Sequence, residues 1–475
     1  MWTRPRRTAG IWSVASGERR DLFFGGNEMA LMKKRSLWLC LILCLLCAGL
    51  FACTPETTQT NTEAPAATPT AEPTPEPTEE IAIAVVPVIT EVPTEAPTIE
   101  PTPEPTPVYV TIGAVGDIMV PSGIVADVRT EEGDYDFTTL FAPVRELFTS
   151  VDLMCGNLEV PVAGAQAGYS APRNGEEGLY TFNAPDSLLD TLKEDGVDML
   201  TTANNHCMDR GKKGVFRTIE AVRGAGFYQT GTFLDEADRE KPLIVEINGV
   251  RLGFVASTRL INTVSKDFSR AEAHTSIGYL VSQNDGRLLS DDVIRDIERT
   301  RAAGAEFIIV FAHWDYEDDN PTSPITKSLA KQLFEAGADC VIGSHPHRVK
   351  SAEYITVERA DGPYTGLVLY SLGNFSANQV NCMIGLFVKL TLEKDFITDR
   401  ITLCDAACIP TLVIKRDVEE GPKFAIIPTY TDPERVTGIT EPLTEKEIAA
   451  LQAARKTALL KLGSIAGLRL LDEEP

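Results

Sequence analysis

The chain has 475 residues, 43% of them hydrophobic, and carries 68 acidic against 44 basic residues, a formal charge of −24. That is enough apolar material for a sizeable core. The acidity argues against nucleic-acid binding, which needs surplus Lys and Arg to neutralise phosphates.

Residues 1–28 are polar and Arg-rich and sit where a secretion signal tolerates little, so Met29 or Met32 is the expected start. From Met32 the chain reads Lys33, Lys34, Arg35, then the apolar run Leu37 to Leu50, then Phe51-Ala52-Cys53. The apolar run is shorter than the roughly 20 residues of a spanning helix, and small Ala52 precedes Cys53 as a lipoprotein cleavage site requires. Residues 1–53 therefore read as a spurious leader plus a lipoprotein signal peptide, with lipidation on Cys53. The mature chain is expected to be extracytoplasmic and lipid-anchored to the cell membrane.

Thr54 to Pro107 holds ten Glu, no Lys or Arg, and a dense Thr/Pro alternation. It cannot bury enough apolar surface to offset its ordering entropy, and so predicts a solvated stalk. At about 3.1 Å per residue its reach is on the order of 150 Å. Six cysteines follow Cys53, without the spacing of a zinc knuckle or redox pair. Cys155, Cys207 and Cys340 lie in or beside apolar runs and read as buried thiols, while Cys382, Cys404 and Cys408 leave one disulfide open.

From Val108 short apolar runs alternate with helical stretches, the pattern of a layered α/β domain spanning 108–432. Strands are expected at 108–115, 151–155, 198–202, 250–256, 307–312, 339–343, 366–370 and 384–392. Helices are expected at 185–195, 212–223, 291–303 and 324–336, with Gly196, Gly224, Gly304 and Gly337 as their stops. In the tail, 433–475, Thr444 and Glu447 form a capping box before a helix that reaches about Leu462 and ends at Gly463, expected to pack on the domain.

Six of these strands deliver polar residues just past their carboxyl ends: Asp117, then Asn157 with Glu159, then Asn204-Asn205-His206, then His313, then His345-Pro346-His347, then Ser371 to Asn374. In α/β sheets that edge is where ligands bind, because buried strands position such groups without placing a polar atom in the core. Four of the five histidines lie in these segments, His274 being the exception. Mixed carboxylate, amide and imidazole donors suit Mn, Zn or Fe better than Ca, and too few thiols join them for a structural zinc site. A divalent-metal site is implied.

The segments Gly116-Asp117-Ile118-Met119, Asn157 to Pro161, Phe182 to Pro185, Asn204-Asn205-His206 with Asp209 and Gly211, His313-Trp314 with Glu317, His345-Pro346-His347 and Ser371 to Phe375 occur in the order seen in CapA-like capsule-synthesis (poly-γ-glutamate) proteins. The chain resembles that family over roughly 110–378. The resemblance implies a fold related to calcineurin-like metallophosphoesterases, a layered α/β/β/α sandwich with a dinuclear site on its sheet edges. It further implies that Asp117 binds the first metal, that Glu159 stands at the bridging position, and that Asn205, His313 and His345 bind the second, with His347 returning to the first. His206, oriented by Asp209, would be the proton donor to a leaving group. Met119 stands where the phosphoesterases have a His, and a thioether is a poor ligand for a hard cation. Asp315 replaces a common Gly after His-Trp, and Asn378 a frequent Asp after Gly-Asn-Phe.

Each residue also has a plainer reading. An Asp after Gly is often a turn or helix cap, and Asn204 is better explained as a turn residue than Asn205 is. His206 and Asp209 suit a structural pair as well as acid–base work. Two imidazoles held by the rigid Pro346 spacing fit a core poorly. Glu317 reads either as support behind the ligands or as a solvated loop residue, and Asn374 as a loop cap or a substrate contact. His274 reads as exposed and without a role, in a long polar stretch, 261–283, that suits a lid.

The expected function is a component of the synthesis, export or attachment of an anionic polymer such as poly-γ-glutamate, working with membrane synthase or export partners. Bound cations would let an acidic protein meet an acidic polymer. The alternatives are an extracellular dinuclear phosphoesterase acting on a small ester and a non-catalytic scaffold of an export complex.

Overall fold

The computed structural model describes residues 106–172, 180–262, 268–282, 286–379, 382–419, 421–463, 465 and 467–472. The leader, the signal with Cys53 and nearly all of the stalk lie outside the described residues.

The central strand, β1 (Val108–Ile118), is buried on both faces. Its Val110, Ile112 and Ala114 face one way and join the core between two sheets, as a period of two along a strand requires. Beside it lie the parallel strands β2 (Leu153–Leu158), β3 (Met199–Thr201) and β4 (Tyr228–Thr230). The second sheet is built on β5 (Leu243–Ile247), β6 (Val250–Thr258), β7 (Phe307–His313), β8 (Cys340–Ser344), β9 (Ala352–Arg359) and β10 (Gly362–Leu369), in the order β9-β10-β8-β7-β6-β5. The chain then returns to the first sheet with β11 (Ile384–Asp395), β12 (Arg400–Lys415) and β13 (Phe424–Pro428), completed by β14 (Leu468–Leu470) beside β12. That sheet runs β13-β12-β11-β1-β2-β3-β4.

The two sheets meet face to face. Ile112, Leu153, Met199 and Leu390 of the first pack with Leu252, Ile309, Ile342 and Leu367 of the second. Each such aliphatic side chain contributes about 1.5–3 kcal/mol on leaving water. On the outer face of the first sheet lies α1 (Ser187–Glu194), burying Leu188, Leu189 and Leu192. On that of the second lie α3 (Asp291–Ala302) and α4 (Pro324–Glu335), burying Val293, Ile297, Leu329, Leu333 and Phe334. Helix α2 (Gly211–Gly224) follows the third strand and joins Val215 and Ile219 to a smaller cluster with Met208 and Phe268. The architecture is thus the layered α/β/β/α sandwich expected from the strand and helix order.

The boundaries shift in instructive places. The second strand begins at Leu153 rather than residue 151 and runs to Leu158, so Asn157 lies inside it. Gly196, Gly304, Gly337 and Gly463 take the positive φ of helix stops, but Gly224 is still helical and Gly226 supplies the turn at φ 84°. The tail helix α5 (Glu445–Leu462) has the Thr444/Glu447 capping box, and it buries Leu451 and Ala454 against Leu412 and Ile427. Beyond it the tail also contributes β14, a strand the sequence pattern did not indicate. All six described cysteines are free, so Cys382, Cys404 and Cys408 form no disulfide. No helix among the described residues is long and apolar enough to cross a membrane.

Candidate metal centre

The first sheet brings its polar residues to the carboxyl edge of β1, β2 and β3. Pairing between β1 and β2 shifts register between Val115 and Asp117, a bulge that re-aims the end of β1. The loop after β10 crosses to this point: Asp117 N–H donates to the Gly373 carbonyl at 3.0 Å, and Phe375 N–H donates to the Asp117 carbonyl at 2.9 Å. Asn157 donates from Nδ2 to Asp117 Oδ1 at 2.8 Å. Glu159, one residue past β2, is anchored by its N–H on the Ile118 carbonyl at 3.0 Å. After β3, Asn204 donates to the Leu158 carbonyl at 2.8 Å and accepts from His206 N–H at 3.2 Å, while Asn205 Oδ1 lies 2.9 Å from His313 Nε2.

The second sheet supplies the imidazoles. His313 is the last residue of β7, and its Nδ1 meets Ser344 Oγ, the last residue of β8, at 2.9 Å. The two histidines around Pro346 follow directly, His345 at φ 94° and His347 at φ 56°. Non-glycine residues rarely hold such angles unless their surroundings over-determine them. His347 Nδ1 lies 2.8 Å from Asn374 Oδ1 and 3.3 Å from Asp117 Oδ2, so two acceptors hold its N–H and leave Nε2 with a free lone pair.

All eight of Asp117, Asn157, Glu159, Asn205, His313, His345, His347 and Asn374 are buried, and they meet across the two sheets. His313 Nε2 lies 2.9 Å from Asn205 Oδ1 and 3.5 Å from Glu159 Oε1, while His347 Nε2 lies 3.7 Å from the same Glu159 oxygen. Ligand atoms of Asp117, Glu159 and His313 fall within 4.8 Å of one another, as do those of Glu159, His345 and His347. Glu159 belongs to both groups.

Burial pushes the Glu159 carboxyl well above its ordinary value, and the neighbouring Asp117 adds to this. Burial alone would also raise Asp117, but its contacts with His347 and Asn157 carry it lower than usual. His313 is held far down by burial and by the other imidazoles, and His345 is brought down to about 3 by burial and by His347. For His347 burial acts downward, yet the Asp117 carboxylate raises it overall. The histidines 313 and 345 are therefore neutral, with lone pairs available, beside a carboxyl that lacks a positive partner. Glu159 Oε1, His345 Nδ1 and Asn205 Nδ2 are buried with no hydrogen-bond partner. Each such atom costs about 1–3 kcal/mol; the Glu159 oxygen and the His345 nitrogen, which can offer lone pairs, fit a divalent cation, whereas the Asn205 amide nitrogen is a donor and would not bind one.

Beside this cluster His206 Nδ1 lies 2.8 Å from Asp209 Oδ2, an oxygen that also accepts from Phe182 N–H at 2.7 Å. Phe182 packs edge-on against the His206 ring, centroids 4.5 Å apart. Asn262 reaches His206 Nε2 at 3.3 Å from the stretch expected to be a lid. The described part of that stretch is packed: it contains the helix Arg270–Ser276 and buries Phe268, Ala273 and Ile277. Residues 263–267 lie outside the described residues. His274 is half-buried rather than exposed, tilted over Tyr279 at 4.5 Å. Glu317 is exposed at the mouth, where its charge acts on Glu159 and His347. Asn374 ties His347 to the Cys382 carbonyl, donating to the latter at 2.8 Å. The sequence reading missed Ser344, Asn262 and Arg259. Only Ser344 had a local signal, its place directly before His345.

Fold and site define an α/β/β/α domain whose two sheets share one rim, where buried carboxylate, amide and imidazole donors can take divalent metal. The chain belongs to the bacterial capsule synthesis protein PGA_cap family, whose signature matches residues 111–379. It is 29% identical over 271 residues to the capsule biosynthesis protein CapA of Bacillus anthracis, covering 57% of this chain and 60% of that protein. It is 28% identical over 269 residues to the PGA biosynthesis protein CapA of Bacillus subtilis, covering 56% of this chain and 62% of that one. The chain thus spans about 60% of the length of these relatives. Among solved structures, a phosphatase from Mycoplasma pneumoniae aligns over 65% of this chain and 95% of its own, at 11% identity and a TM-score of 0.35.

Proposed function

We propose that this protein is a metal-dependent component of the synthesis, export or attachment of an anionic polymer of the poly-γ-glutamate kind. It would act outside the cytoplasmic membrane, tethered through a lipid on Cys53 and lifted by its stalk, beside membrane synthase or export partners. Family membership and the names of the relatives support the polymer; the one observation that carries the chemistry is the meeting of Asp117, Glu159, His313, His345 and His347 around shared space.

Asp117 and His347 would hold one cation, Asn205, His313 and His345 a second, with Glu159 between them. A bound pair supplies Lewis acidity toward carboxylate or phosphate oxygens and a more acidic water. Asn157 and Asn374 keep Asp117 and His347 aimed, and Ser344 does the same for His313. In cells producing the full chain with both His345→Ala and His347→Ala, polymer output is expected to fall several-fold at equal protein level. Undiminished output would remove the metal from the function and leave a scaffold.

A second reading, a phosphoesterase, is favoured by the His206–Asp209 pair, in which Asp209 fixes one ring nitrogen while the other is met by Asn262. The full chain supplied with Mn should then hydrolyse an aryl phosphate, and His206→Ala should lower turnover about 100-fold while the metal stays bound. Turnover that is absent, or indifferent to His206, would rule this reading out.

A further inference from the structure

Strands β6, β7 and β8 are neighbours and parallel, with Thr258 and Ser344 both in register with His313. Arg259, the residue after β6, therefore arrives at the same edge as His313 and His345, and its N–H donates to the His313 carbonyl at 2.8 Å. Its side chain is half-buried, and the guanidinium lies 5.2 Å from the centre of the Tyr316 ring, which is 48% exposed. A cation–π contact of this kind helps hold the guanidinium in place.

Arg259 Nη1 is buried and has no hydrogen-bond partner among the described residues, and no carboxylate among them pairs with the side chain. Asp315, two residues past His313 and buried at φ 68°, leaves its own Oδ1 unpartnered as well, so the two do not satisfy each other. Several other arginines are paired with carboxylates, Arg223 with Asp238, Arg239 with Asp296, Arg359 with Asp339 and Arg469 with Asp405, whereas Arg210 bonds backbone carbonyls and also leaves its Nε unpartnered. Acidic residues surround the centre: Asp117, Glu159, Asp209 and exposed Glu317. A guanidinium at this edge adds a fixed positive charge for an anionic ligand, beside what bound cations would supply.

We propose that Arg259 is the group that receives an oxyanion of the substrate, a carboxylate or a phosphate, at the entrance to the metal centre. This rests on the reading of that centre as the functional site. A planar guanidinium matches both oxyanions with two parallel hydrogen bonds, and neither Lys nor a metal alone reproduces that fork. Arg259 binds and orients the ligand, while Asp117, Glu159 and the histidines keep their places without it.

The test uses the full chain with inorganic phosphate and a γ-linked glutamate oligomer as separate probes, titrated calorimetrically with and without Mn. Arg259→Met keeps the stem and removes the charge, and should weaken the better-bound probe at least about ten-fold. Arg259→Lys should recover part of that loss, and Mn binding and melting temperature should match the parent in both variants. Preference for phosphate points to an ester substrate, and preference for the oligomer to the polymer; either supports the proposal if it depends on Arg259. Equal probe binding by Arg259→Met and the parent, or no binding of either probe by the parent, overturns it. Absence of Mn binding in the parent would instead overturn the metal reading, and the titrations without Mn would still decide the part played by Arg259.

Discussion

Glu159→Gln is expected to weaken Mn binding on the order of a thousand-fold, well beyond the ten- to hundred-fold typical of residues that only orient ligands. Glu159 is the carboxylate shared by both ligand groups, with Oε1 3.5 Å from His313 Nε2 and 3.7 Å from His347 Nε2. The amide keeps the size of the side chain and removes its charge, so both cations would lose the donor between them. The same substitution should leave the metal-free protein equally stable or more so, since a buried carboxyl whose Oε1 has no hydrogen-bond partner is replaced by an amide. Metal content after dialysis, calorimetric Mn titration and thermal melting of the full chain, with and without Mn, measure both halves. A Gln variant that binds Mn within about ten-fold of the parent would remove Glu159 from the centre.

Gly116→Ala should destabilise the domain by at least about 3 kcal/mol and carry Mn binding down with it. A Cβ at residue 116 would sit 2.0 Å from the Gly373 carbonyl oxygen and 3.1 Å from the Leu372 carbonyl carbon. Both obstacles are backbone, so no rotamer change relieves the clash. Relief requires the loop after β10 to leave β1, which breaks the Asp117–Gly373 and Phe375–Asp117 hydrogen bonds and lets Asn374 carry His347 away from Asp117. Gly224→Ala is the control, because its Cβ meets nothing within 4 Å and its backbone is helical. That change should be neutral or stabilise by up to about 1 kcal/mol. Denaturant unfolding distinguishes the two, and a Gly116→Ala protein as stable as the control would contradict the junction between the sheets.

The parts of the fold that were readable in advance were those with strong local patterns. β1, β6, β7 and β8 are nearly continuous apolar runs between turn residues, and the helices α3 and α4 carry apolar spacing ended by Gly304 and Gly337. β12 was not readable. Its first half alternates between exposed and partly buried residues, and Asp405 and Pro410 interrupt its apolar run. What makes it a strand is its long pairing with β11 and its contact with β13, not its own composition. β9 likewise is a half-exposed edge strand held by its hairpin with β10.

Sequence by itself determined which residue types end the buried strands, and with them the oxygen and imidazole donors of the site, because a polar residue following a buried strand has nowhere else to go but the sheet edge. Tertiary structure alone decided that two separate sheets share one rim: it took the bulge at Val115–Asp117 and the crossing of the 371–375 loop to set His345 and His347 against Asp117. It also decided that Arg259 Nη1 has no hydrogen-bond partner among the described residues and that Asn262 touches His206. The physical reason is separation along the chain. Asp117 and His345 are 228 residues apart, and Asn205 and His313 are 108 apart. Local periodicity sets how each strand presents its faces, but which strand ends meet depends on long-range pairing and on the close backbone approach that Gly116 permits.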